Sequence, residues 1–120
     1  MTMAALKNHS TRTIVATRIG RPMNFLARLV GLIGRRDIEP DEGLWFERCT
    51  SIHTFGMRSA IDVVFADARG RVLALKNRLV PGRIAFAPPG ATTIVELGPG
   101  ALDRLTILVG DQLELVDPLG

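Results

Sequence analysis

The 120-residue chain has one cysteine, no tyrosine, and aromatic side chains at only 5% of its positions. A lone cysteine, Cys49, excludes an internal disulfide, so packing alone must hold the fold, as suits a reducing compartment. It also excludes the zinc sites that need a second cysteine. No apolar run approaches a membrane span, and the longest apolar-rich stretch, Phe25 to Gly34, is interrupted by Arg28. No export signal is evident, because Lys7, Asn8, His9, Arg12 and Arg18 break up the opening segment. The expected location is therefore the cytoplasm, with no membrane partner. Phosphate-binding loops are missing too. Gly98-Pro99-Gly100 lacks the third glycine and the βαβ setting of a dinucleotide fingerprint. There is no Gly-x-Ser-x-Gly elbow either, which argues against Ser51 as the nucleophile of a Ser51–His53–Asp62 hydrolase.

Acid is absent from the first third. Residues 1–36 carry Lys7, Arg12, Arg18, Arg21, Arg28, Arg35 and Arg36 and no Asp or Glu, whereas the remainder holds eight basic and twelve acidic residues. A basic end of this kind can meet an anionic partner. Without an aromatic-rich strand pair, a GXXG loop or zinc spacing, however, nucleic acid is not the expected partner.

What is present suits a small β-rich domain. Hydrophobic residues make up 47% of the chain and charged residues 22%, with 12 Gly and 7 Pro. That mixture supplies a core and many tight turns. One domain over residues 12–120 is expected, behind a flexible leader at 1–11. Strands are predicted at Thr11 to Ile19, Gly43 to Phe46, Ile61 to Ala66, Arg71 to Lys76, Ile84 to Ala87, Thr92 to Leu97 and Asp111 to Val116. Asp67-Ala68-Arg69-Gly70 should turn Arg71 to Lys76 back on Ile61 to Ala66 as a β-hairpin. The helical spacing of Phe25, Leu26, Leu29, Val30, Leu32 and Ile33 predicts an amphipathic helix from about Asn24 to Ile33. A second short helix or turn should open at Pro99-Gly100 and run through Leu105. The expected class is mainly β (α+β), a compact antiparallel sandwich or small barrel with one or two short helices.

Several segments fall in the order of a known family. They are Arg28-Leu29-Val30-Gly31-Leu32, Glu42-Gly43-Leu44-Trp45-Phe46, Ile61-Asp62-Val63-Val64-Phe65-Ala66-Asp67, Gly70-Arg71-Val72, Val95-Glu96-Leu97 with Gly100, and Gly110-Asp111. In order and spacing the chain resembles the family of domain of unknown function 192, over roughly residues 12–116. The resemblance implies a compact, mostly β fold and no established reaction. Many relatives carry a Phe-Trp-Met-type segment before the Asp-bearing strand, and here His53 stands where the Trp often lies. Many relatives also carry an export signal.

The densest polar cluster runs from Cys49 to Asp62, interleaved with Ile52, Phe55 and Met57. In an extended chain Cys49, Ser51, His53 and Phe55 share one face. Arg58 offers a planar fork for a carboxylate and His53 a titratable donor. Their structural reading is a loop cap for His53 and an Arg58–Asp62 pair steadying the hairpin. Asp62 and Glu96 each interrupt an apolar strand, and a buried carboxylate must be satisfied by partners. Asp62 would then cap loop amides or act as a base or ligand, and alternation points Glu96 toward a cavity. A lone Cys49 reads as a small buried side chain. No metal or cofactor is expected, although the spacing does not forbid His53, Asp62 and Glu96 from converging on one.

The leading expectation is a non-enzymatic binding domain whose pocket takes a small anionic ligand or a peptide, drawn from His53, Arg58, Asp62, Glu96, Trp45 and Phe55. The rival is a small hydrolase or lyase with Asp62 or Glu96 as general base beside His53. A third possibility is a protein-interaction module using Trp45 and the basic helix face around Arg28 and Arg35.

Overall fold

The computed structural model describes residues 2–22 and 38–117. The expected amphipathic helix at Asn24 to Ile33, with Arg28 and Arg35, lies outside them. Within them, strands β1 (Thr2–Asn8), β2 (Thr13–Arg21), β3 (Glu42–Phe46), β4 (Ser51–His53), β5 (Ile61–Ala66), β6 (Val72–Leu79), β7 (Ile84–Phe86), β8 (Thr93–Leu97) and β9 (Leu113–Val116) are joined by one helix, α1 (Ala101–Leu105). Seven strands form one sheet in the order β6-β5-β8-β3-β2-β1-β9, and β4 pairs with β7 in a separate small sheet.

The mainly β class holds, with two departures in detail. The sheet is mixed, because β2 and β3 run parallel. It also stays open. Its edge strands β6 and β9 meet only at their near ends, through the Arg71–Gln112 bridge and the flanking bonds from Val72 N–H to the Asp111 carbonyl and from Leu113 N–H to the Gly70 carbonyl. The curl approaches a barrel without closing one.

A correction concerns the expected leader. Residues 2–8 form a full strand between β2 and β9, with Leu6 and Asn8 completely buried. The strand was hard to read because alternation fails along it: bulges at Ala4/Leu6 and Leu6/Lys7 shift its register, and Ala5 and Leu6 are buried side by side.

Both faces of the large sheet are packed, and so β5 and β8 are buried along their whole length. One face gathers Leu6, Ile19, Trp45, Val64, Val95, Leu97 and Leu113 under Ala101 and Leu102 of α1. The other gathers Leu44, Phe46, Val63, Phe65 and Ile94 under Ile52, Met57 and Ala85, which belong to the β4–β7 layer. Glycine is required where strands crowd. A Cβ on Gly43 would stand 1.9 Å from the Glu96 carbonyl oxygen across the β3–β8 pair. Gly70 has φ of +90°, and a Cβ there would stand 2.1 Å from the Leu113 oxygen. The expected β5–β6 hairpin is present, closed by Asp67, whose Oδ1 accepts the amides of Arg69 and Arg71.

Candidate functional site

Strand register sorts the six candidate residues. In β5, Val63 faces the β4–β7 layer, so its neighbour Asp62 faces the helix side. In β8, Ile94 faces the β4–β7 layer and Glu96 shares that face; Glu96 pairs with Val63, whereas Asp62 pairs with Leu97. The sheet therefore stands between Asp62 and Glu96, and the two carboxylates do not converge.

Asp62 is 1% exposed. Its Oδ1 accepts the Arg78 amide at 2.9 Å and its Oδ2 the Leu102 amide at 2.9 Å. Each bond answers a specific backbone need. Opposite Asp62, β6 carries a bulge, with Ile61 paired to Leu79 and Val63 to Lys76, and Arg78 adopts a left-handed φ of 53°. Its amide cannot join the β5 ladder and takes the carboxylate instead. α1 begins at Gly100 with no side-chain cap of its own, and Asp62 supplies that cap from another element. The capping role weighed from the sequence is the one the geometry displays, and Arg58 makes no pair with Asp62.

Trp45 is 7% exposed, in the helix-side core, with its indole N–H donating to Glu47. That removes it as a surface anchor. Glu96 is 7% exposed beside Leu44 and Val63, and burial pushes its carboxyl up to about 7. Cys49 is half-buried, and its thiol donates to the Ser51 carbonyl. Among the described residues no three His, Cys, Asp or Glu side chains are grouped as a metal site requires, and no helix is long and apolar enough to cross a membrane.

Of the candidates that remain accessible, His53 and Phe55 lie on the outer face of the β4–β7 sheet, and Arg58 is exposed in the segment that follows them. Ile52 and Ala85 turn inward, so Ser51 and His53 of β4 and Ile84 and Phe86 of β7 turn outward. The His53 and Phe55 rings stack with centroids 5.4 Å apart and planes inclined by 26°. Nδ1 of His53 accepts the Phe55 amide, so the neutral imidazole carries its proton on Nε2 and offers it outward. Thr54, completely buried between them, clamps the two strands. Its hydroxyl donates to the Val80 carbonyl and accepts the Arg83 amide, and its own amide donates to the Arg83 carbonyl.

The resulting surface is unusually apolar. Phe86 is 75% exposed, Ile84 54% and Phe55 50%. Its own segments carry charge of one sign. Segments 48–60 and 80–91, which build the layer, contain Arg48, Arg58 and Arg83 and no Asp or Glu. All three arginines are exposed; Arg58 and Arg83 make no ion pair among the described residues, and Arg48 lies beside the exposed Glu47. Ile84, Phe86 and Arg83 were not singled out from the sequence. The available signal was the Ile-Ala-Phe alternation inside an acid-free segment, which reads equally well as a strand with its large side chains turned inward.

With this geometry established, known proteins provide a frame. A family model described as an uncharacterised ancient conserved region, domain of unknown function 192, matches residues 6–115. A UPF0127 protein from Pyrococcus furiosus is 35% identical over 97 residues, covering 76% of this chain and 80% of that protein. Another from Thermococcus sibiricus is 39% identical over 64 residues, covering 53% of this chain but only 41% of that longer protein. Among solved structures, a Sinorhizobium meliloti protein provisionally described as a transcription regulator superposes with a TM-score of 0.77 at 25% identity, covering 96% of each chain. A protein of unknown function from Novosphingobium aromaticivorans superposes with a TM-score of 0.75 at 21% identity, covering 94% of this chain and 84% of that one, and shares the fold.

Proposed function

The chain belongs to the family of domain of unknown function 192, and from that premise we propose that it is a non-enzymatic binding domain for an anionic ligand or peptide, which it takes on the outer face of the β4–β7 sheet. The observation carrying this reading is the coincidence of the His53–Phe55 stack, the exposed Ile84 and Phe86, and the exposed Arg58 and Arg83 on segments that hold no acid. Aromatic faces and arginine forks together suit a carboxylate carried on an apolar body. Of the six residues named from the sequence, His53, Phe55 and Arg58 belong to this proposed site. Asp62 and Trp45 serve the fold, and Glu96 lies buried on the sheet face beneath the layer.

Catalysis is the weaker reading. A reaction centre needs at least two convergent titratable groups in a cleft, whereas His53 turns to the outer face of the layer, Glu96 lies buried on the sheet face beneath it and Asp62 lies on the far side of the sheet.

The test uses benzoate and poly-L-glutamate titrated into the 15N-labelled chain. Resonances of His53, Phe55, Ile84 and Phe86 should shift, and Arg58→Ala and Phe86→Ser should each weaken the response while leaving the fold intact. No shift on this face, or shifts that both variants leave unchanged, would remove the proposal.

A further inference from the structure

The β4–β7 pair offers more than a surface, because its bonding pattern leaves one edge open. The pairs Thr50–Ala87 and Thr54–Arg83 are hydrogen-bonded, with Ala87 N–H on the Thr50 carbonyl and Thr54 N–H on the Arg83 carbonyl. In an antiparallel ladder bonded and non-bonded pairs alternate. Ser51–Phe86 and His53–Ile84 are therefore non-bonded pairs. The N–H and C=O groups of Ile84 and Phe86 consequently point away from β4, along the outer edge of β7, and no hydrogen bond to them forms among the described residues. The outer edge of β4 is less available, since the Ser51 carbonyl already accepts the Cys49 thiol.

We propose that the outer edge of β7 receives an extended, acidic segment of a partner protein as an added strand. This deepens the reading of the same face given above and rests on it. Unpaired backbone groups at a sheet edge are a template for a further strand. Here they coincide with the two large exposed side chains of β7, so an incoming strand gains hydrogen bonds and apolar contact together. The surround selects the occupant. Arg58 and Arg83 are exposed, and no acid lies in either segment of the layer. A second copy docking edge to edge would set two arginine-bearing, acid-free segments side by side, whereas carboxylates on a partner strand would meet the arginine forks. Pro81 and Pro88 flank the strand, so the footprint is confined to about the length of β7. A small footprint implies a weak, rapidly exchanging complex.

The experiment uses the full chain, 15N-labelled, and three synthetic peptides. These are an alternating Val-Glu pentapeptide, the same peptide N-methylated at every interior amide, and a Val-Lys counterpart. Strand addition predicts downfield shifts of the Ile84 and Phe86 amides with the Val-Glu peptide. It predicts about tenfold weaker binding after N-methylation, the equivalent of one or two lost hydrogen bonds, and no response to the Val-Lys peptide. Equal binding of the methylated and unmethylated peptides would overturn strand addition while leaving the binding face in place. Equal binding of the Val-Lys peptide would overturn the acidic occupant. Self-association that Phe86→Asp abolishes would assign the edge to a second copy and overturn the proposal. Silence of this face toward all peptides, and toward benzoate and poly-L-glutamate, would remove both readings together.

Discussion

Replacing Asp62 by Asn tests how much of the domain depends on one buried carboxylate. The side chain joins two backbone amides from different elements, Arg78 in the β6 bulge and Leu102 in the first turn of α1. Asparagine keeps one carbonyl oxygen and turns an amino group toward the other donor. The oxygen should go to Leu102, which is buried, leaving Arg78 to seek water from its more exposed bulge. Losing one charged acceptor while the other becomes neutral costs about 2 kcal/mol, since a bond to a charged group is worth roughly twice a neutral one. Asp62→Ala strands both amides and should cost about 4 kcal/mol on the same scale. The single tryptophan, Trp45, is buried in the adjoining core and reports unfolding directly in urea. Hydrogen exchange supplies the site-specific readout: Arg78 alone should lose protection in Asp62→Asn, and Arg78 and Leu102 together in Asp62→Ala. If Asp62→Asn costs less than about 0.5 kcal/mol and both amides stay protected, Asp62 does not hold these elements together.

Glu96 should make stability fall with rising pH. Its folded pKa of about 7 lies above the ordinary 4.5, so the native state binds the proton more tightly. The stabilising contribution is complete below 4.5, declines between 4.5 and 7, and is gone above that, a loss of about 3 kcal/mol. Denaturation of Glu96→Gln at several pH values should lack this decline, and curves parallel to the parent would contradict it. Gly43→Ala should destabilise by about 3 kcal/mol or prevent folding, because its Cβ would occupy the space of the Glu96 carbonyl oxygen; a soluble variant with unchanged thermal midpoint would refute the close approach. Phe86→Ser, at a largely exposed position, should change urea stability by less than about 0.5 kcal/mol, and a larger loss would mean that Phe86 serves the core.

The strands of this fold were legible wherever a local signal was sufficient. Ile61 to Ala66 is apolar enough to be read as buried on both faces, and Asp67 with Gly70 marks its turn chemically. β1 was not legible, because its bulges erase the two-residue period and its place beside β9 depends on partners far along the chain. The candidate site was legible as a set of polar residues but not as a geometry. One position in the strand pairing decides that Asp62 faces α1 and Glu96 faces the opposite layer, and pairing register is not written locally. The segments carrying the family resemblance prove largely architectural: Gly43 permits a close strand approach, Asp62 caps α1, Asp67 and Gly70 form a turn, and Asp111 accepts the Asn8 amide and the Leu108 N–H. The exposed Phe86 and Ile84 are of residue types ordinarily assigned to a core, so composition points the wrong way for them.

The position of β1 between β2 and β9 has a consequence for biosynthesis. Asn8 bonds Asp111 across 103 positions of chain, and Leu6 pairs with Leu115. A ribosome delivers Asn8 well before its partner Asp111. While the intervening chain emerges, β1 can pair with β2 but must hold its other edge, with Leu6 alongside, open to solvent. Such long-range closure slows folding, and an unpaired apolar edge invites association between nascent chains. Pairing of β9 (Leu113–Val116) is therefore the step that closes the free edge of β1, and the growing chain is most open to such association before it occurs.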